Sequence, residues 1–199
     1  MAEAQAHAIA AHPPTSTGLD NRKLGFWIFL GSETLFFGSF ISAYMAYKNE
    51  SIVGPYTQDV FDIPLTSIST FVLLMSSLAM VLGLAGVQEG RRRMALIWLG
   101  ATIVLGTTFL AFQAFEFTEF YHHGLTLQTN LLGSTFFILT GFHGAHVFGG
   151  VIMLGVVLYR GMAGQFSARH HDAVEATSLY WHFVDVVWVA LYTTLYWLP

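Results

Sequence analysis

Five long apolar stretches dominate this chain, and each is close to the roughly 20 residues that a helix needs to cross a bilayer. They lie at about 24–47, 65–87, 94–117, 131–160 and 177–198. Backbone polar groups have no water to bond inside hydrocarbon, so such runs must be helical. The expected fold is therefore an all-α polytopic membrane helix bundle of five transmembrane helices. Composition agrees, with 54% hydrophobic residues and only 10% charged, against about 25% charged in ordinary soluble domains. Residues 1–23 form an Ala-rich tail with Pro13 and Pro14. It lacks the basic start and apolar core of a signal peptide, so it is expected to be a flexible cytoplasmic tail with His7 and His12 solvated. Residues 24–199 then form the transmembrane domain.

Orientation follows from the basic residues. Arg22, Lys23, Arg91, Arg92, Arg93, Arg160 and Arg169 all fall on one side, and Lys48 alone falls on the other. The positive-inside rule puts the N-terminus in the cytoplasm and the C-terminus outside. The outer loop 48–64 carries Glu50, Asp59 and Asp62. With no cysteine in the chain, disulfides, iron–sulfur clusters and thiolate metal sites are excluded. A net charge of −4, widely spread, gives no footprint for nucleic acid.

Ionisable groups inside hydrocarbon are costly, so each one needs a partner or a function. Counted at 1.5 Å per residue, Glu33 lies roughly 13 Å deep, Asp185 roughly 12 Å and His182 roughly 8 Å. His146 and His143 come out at roughly 21 and 25 Å, or about 6 Å less if the fourth span ends earlier. Glu33, Asp185 and His143 are thus expected near one buried layer. His182 and Asp185, three residues apart in Trp181-His182-Phe183-Val184-Asp185-Val186-Val187-Trp188, share a helix face.

Gly141-Phe142-His143-Gly144-Ala145-His146 offers two imidazoles at i and i+3. Metal or haem ligation is one reading. A packing face with hydrogen-bonded histidines is the other, favoured by Gly141, Gly144, Ala145, Gly149 and Gly150, which permit close helix approach. Glu119-Phe120-Tyr121-His122 has Glu-x-x-His spacing, but only one copy is present where di-iron bundles use two. For Glu33, interhelical bonding is favoured over a proton path. Gln113 and Glu116 are expected to meet water or interfacial lipid at the outer end of the third span. Glu175 suits the first turn of the last helix. Trp181 and Trp188 suit packing or interface anchoring, and Trp197 an interface anchor.

Taken together, five motifs resemble subunit III of haem–copper terminal oxidases. They are Gly25-Phe26-Trp27 with Ser32-Glu33, Gln113-Ala114-Phe115-Glu116, Gly133-Ser134-Thr135-Phe136-Phe137, Gly141 to His146 and Trp181 to Trp188. Glu175-Ala176 and Tyr196-Trp197 fit the same pattern. The resemblance implies the five-helix bacterial form, which lacks the first two helices of longer members and the lipid-filled cleft they build. It also implies a non-redox chain in a proton-pumping enzyme of the bacterial plasma membrane that reduces oxygen to water. Haems and copper would sit in partner subunits I and II, and a small subunit IV would join them. Bound phospholipid is expected, and cytochrome c only through the complex. Glu33 matches the family's buried carboxylate, and His182 a position near lipid headgroups.

The resemblance assigns no catalytic, cofactor or metal residue to this chain. Contacts with subunit I or lipid are expected at Glu33, Glu116, His143, His146, Glu175, Trp181, His182 and Asp185. Glu33 points to the cytochrome c branch, with quinol oxidase or a nitric oxide reductase homologue as alternatives. The rival from the enzyme class is a self-contained haem or di-metal oxidoreductase using His143, His146 and His182. A carrier with Glu33 as its proton site is disfavoured, because paired discontinuous helices are missing.

Overall fold

A computed structural model describes residues 21–48, 50, 62–165 and 171–197, and these are all helix and short connections. Most of the expected tail, Asp59 in the outer loop and Arg169 lie outside the described residues. The helices are α1 (Asn21–Tyr47), α2 (Ile63–Gln88), α3 (Arg92–His122), α4 (Leu131–Met162) and α5 (Asp172–Tyr192), followed by a π-helical turn (Thr193–Trp197). Four of them, α1 to α4, are long and apolar enough to cross a membrane. The last helix falls short of that measure, because Glu175, His182 and Asp185 interrupt its apolar run.

The ends are set by local chemistry. Asp62 accepts the Leu65 amide and caps α2, whose first turn contains Pro64; there a missing N–H does no harm. Asn130 caps α4 through the Gly133 amide, 2.7 Å away. Gly90, Gly124 and Gly164 have φ of 71°, 82° and 73° and close α2, α3 and α4. Behind each, the next amide reaches back to Gly86, Phe120 or Arg160 in the manner of a Schellman cap.

Helices α2, α3, α4 and α5 pack in a closed ring, each against the next, and α1 lies outside it on α4 and α5. Only Leu30, Phe37 and Tyr44 of α1, spaced seven apart, are buried apolar residues. Its opposite face exposes Ile28 and Leu35, and its flank Trp27, as a surface facing lipid or another protein would. The ring core is close-packed around Trp181. A methyl added to Gly106 or Gly150 would come within 2.5 or 2.8 Å of that indole. Its Nε1–H donates to Ser76, and the Trp188 indole donates to Thr70. Neither ring is an interface anchor; both are core. Trp197, by contrast, is exposed at the end of the chain.

One end of the bundle collects the basic side chains. Lys23 lies 3.6 Å from Glu175. Arg92 at the start of α3 donates to the carbonyls of Gly161 and Met162, which end α4. Arg91 pairs with Glu89 in the intervening turn. Lys48 stands at the opposite end.

Candidate functional site: three interhelical polar clusters

Three polar clusters bind helices to one another. In the first, Glu33 on α1 meets His146 on α4, with Oε2 and Nε2 3.1 Å apart. His146 Nδ1 lies 2.7 Å from the Phe142 carbonyl. A carbonyl only accepts, so Nδ1 carries a hydrogen. The Nε2–carboxyl contact then holds one further proton, on either atom. Tyr180 of α5 donates to the His146 carbonyl, so three helices converge there. Phe36 and Phe37 flank the imidazole. Each partner keeps 19% of its side chain exposed, so the pair faces the molecule's flank rather than its core.

His143 is not the imidazole that meets Glu33. It is fully buried in the ring, stacked on Trp188 at 4.9 Å and edge-on to Phe109. Neither of its ring nitrogens has a hydrogen-bond partner. The two imidazoles of the motif therefore have different surroundings, one bonded to α1 and one packed among rings.

In the second cluster, His182 Nδ1 bonds Ser77 Oγ of α2 at 2.8 Å, and Asp185 Oδ2 lies 3.9 Å from the same nitrogen. A nucleophilic triad needs the hydroxyl and the carboxylate on opposite ring nitrogens. Here both lie on Nδ1, so the arrangement is a helix-to-helix tie. Asp185 is buried, and neither of its oxygens makes a hydrogen bond. A hydrogen-bonded His143 is one of the two expected readings of its motif, and neither of its ring nitrogens has a protein partner here.

The third cluster corrects another expectation. Gln113 and Glu116 are buried, not presented to water or lipid. Thr66 Oγ1 lies 2.5 Å and the Tyr196 hydroxyl 3.0 Å from Glu116 Oε1. This joins α2, α3 and the final π-helical turn. Gln113 Nε2 donates to the Thr140 carbonyl at 2.7 Å. Beside Glu116 a cavity of about 320 Å³ is lined by Asp62, Glu119 and His123 among others.

Sequence reasoning missed Ser77, Thr66, Thr70, Ser76 and Tyr180, and gave Tyr196 only as part of a terminal motif. A usable signal was present in α2, where Thr66, Ser69, Thr70, Ser76 and Ser77 recur on adjoining stripes of an apolar helix. Glu119, His122 and His123 are exposed, so the Glu-x-x-His spacing does not converge on anything. Among the described residues no three His, Asp or Glu side chains are grouped to hold a metal ion.

A family model described as cytochrome c oxidase subunit III matches residues 6–199. The chain is similar to cytochrome c oxidase subunit 3 of Bacillus subtilis, 38% identical over 177 residues, covering 88% of this chain and 86% of that one. Quinol oxidase subunit 3 of the same organism is 35% identical over 177 residues, covering 87% and 85%. Cytochrome c oxidase subunit 3 of Danio rerio is 38% identical over 197 residues, covering 93% of this chain and 71% of the fish protein.

Proposed function

The chain belongs to the cytochrome c oxidase subunit III family, and from that premise we propose that it is the non-redox third subunit of a bacterial, proton-pumping cytochrome c oxidase. Membership makes it a membrane component of a multi-subunit haem–copper oxidase. The finer reading is that it stabilises subunit I, supports proton uptake and holds phospholipid, while haems and copper stay in subunits I and II. A small fourth subunit completes the assembly, and cytochrome c docks elsewhere on it.

One observation carries this reading. The intramembrane imidazoles that a redox centre would need already serve helix packing. His146 is engaged at both nitrogens, His182 ties α5 to α2, and His143 is stacked between aromatic rings. Side chains so engaged support a scaffold role. The partly exposed Glu33–His146 pair and the apolar face of α1 are then the surfaces offered to lipid or subunit I.

The same account makes α5 the fifth span. Its 21 residues extend about 31 Å, close to the hydrocarbon thickness. Its polar groups turn toward protein: Asp185 inward, His182 to Ser77, Glu175 to Lys23. With the basic cluster at the cytoplasmic end, the N-terminus is inside and the C-terminus outside.

The reading is tested by isolating the membrane assembly that contains this chain in mild detergent. Haem- and copper-bearing companions and rapid oxidation of reduced cytochrome c are expected. Turnover with quinol and none with cytochrome c would move the chain to the quinol oxidase branch, which the 35% identical relative represents. An assembly without haem would refute the proposal.

A further inference from the structure

Between α3 and α4 lie buried polar atoms that no protein group satisfies. Gln113 Oε1, His143 Nδ1 and His143 Nε2 all lack partners, and both side chains are more than nine-tenths buried. They are neighbours in the packing. Phe109, one turn before Gln113 on α3, meets the His143 ring at 5.9 Å. The Gln113 amide bonds Thr140, one turn before His143 on α4. That amide also fills the place a side chain on Gly144 would take, since a Cβ there would lie 2.7 Å from Gln113 Oε1.

A neutral imidazole has one N–H donor and one bare acceptor nitrogen, so no tautomer of His143 removes the deficit. The group that meets a donor and acceptors together, inside an interface this narrow, is water. Buried water is ordinarily held by two to four polar partners. We propose that the α3–α4 interface binds internal water, in a file that runs from His143 past Gln113 to the cavity beside Glu116.

The ends of the file are defined by residues already described. Glu116 stands one helical turn beyond Gln113 on α3 and lines the cavity of about 320 Å³ with Asp62, Glu119 and His123. That volume holds several waters, each needing about 30 Å³. At the other end, His146 stands one turn beyond His143, with both nitrogens engaged by Phe142 and Glu33. The file therefore enters from the Glu116 side and stops at His143. The inference goes beyond the subunit III reading and does not depend on which electron donor the assembly uses.

The test is solid-state NMR of the full chain, uniformly ¹³C,¹⁵N-labelled, in liposomes. His143 is assigned through its sequential links to Phe142 and Gly144. Hydrogen-bonded ring-nitrogen shifts and magnetisation transfer from water to the His143 ring are expected in the wild type. In Gln113→Leu, exchange of the His143 ring N–H into D₂O should slow at least tenfold, with the His146 signals unchanged. If that variant does not fold, the wild-type spectrum decides alone. Shifts of an unbonded imidazole with no transfer from water, as for an N–H directed at the Phe109 ring, would overturn the proposal. So would exchange that is the same in the folded variant.

Discussion

Glu33 Oε2 and His146 Nε2 meet 3.1 Å apart although 113 positions separate them, and their bond joins α1 to α4. Since α1 buries only Leu30, Phe37 and Tyr44 as apolar residues, this bond carries an unusual share of its attachment. Interhelical bonds in membranes average about 0.6 kcal/mol, with a maximum near 1.7. Glu33→Leu or His146→Leu should therefore loosen α1 from the ring by roughly three- to eighteenfold, which hydrogen exchange of α1 amides would register. Exchange in α2 to α5 should stay unchanged. Uniform loosening of all five helices would mean the pair supports the whole fold instead.

Trp181 sits between Gly106 and Gly150, and its indole bonds Ser76. Gly106→Ala or Gly150→Ala forces the ring to move, and overpacking of this kind costs about 1–3 kcal/mol. Gly100→Ala and Gly141→Ala meet nothing within 4 Å, so a helix gains alanine's better propensity at little steric cost. Thermal melts in detergent should show lower midpoints for the first two and unchanged or slightly raised ones for the second two. A shift in tryptophan fluorescence should accompany only the first pair.

Arg92 covers the carbonyls that end α4. Helix C-termini carry partial negative charge and unpaired acceptors, so a guanidinium there stabilises by about 0.3–1 kcal/mol. Arg92→Ala should accelerate amide exchange in the last turn of α4 a fewfold and leave its centre unaffected. Arg92→Lys should recover part of the protection, since it keeps the charge and loses the fork.

Glu116 accepts hydrogen bonds from Thr66 and Tyr196 across three elements. Glu116→Gln keeps an oxygen of the same shape and should cost little. Glu116→Leu removes the acceptor that Tyr196 and Thr66 share, although Thr66 keeps the Asp62 carbonyl, and should cost about 1–3 kcal/mol in all. Equal melting midpoints for the two variants in detergent would argue that water already supplies those hydroxyls.

The elements were legible because hydrocarbon imposes helices and because Pro64 suits a first turn; the caps Asp62 and Asn130 emerge only in the structure. The partners were much less so. Helical positions three apart differ by about 60° around the axis. His143 and His146 therefore occupy adjacent stripes of α4, and nothing in the sequence says which stripe meets α1. Depth counting could therefore place Glu33 and His143 near one layer without saying which imidazole Glu33 meets. Gln113 and Glu116 looked interfacial because the outer end of a span is ordinarily wet. Here the π-helical turn at Thr193–Trp197 swings Tyr196 over that end and buries it. The role of α2 was hidden by the plainness of its hydroxyls, which read as helix filler until Trp181, Trp188 and His182 reach them.

The central proposal is that His146 and His182 tie helices together and that the chain's imidazoles carry no redox centre. An optical spectrum with metal analysis of the full chain, separated from its companions and still helical, tests it directly. The account predicts a colourless protein without stoichiometric iron or copper. A Soret band at one haem per chain, lost in His143→Leu or His146→Leu, would contradict it.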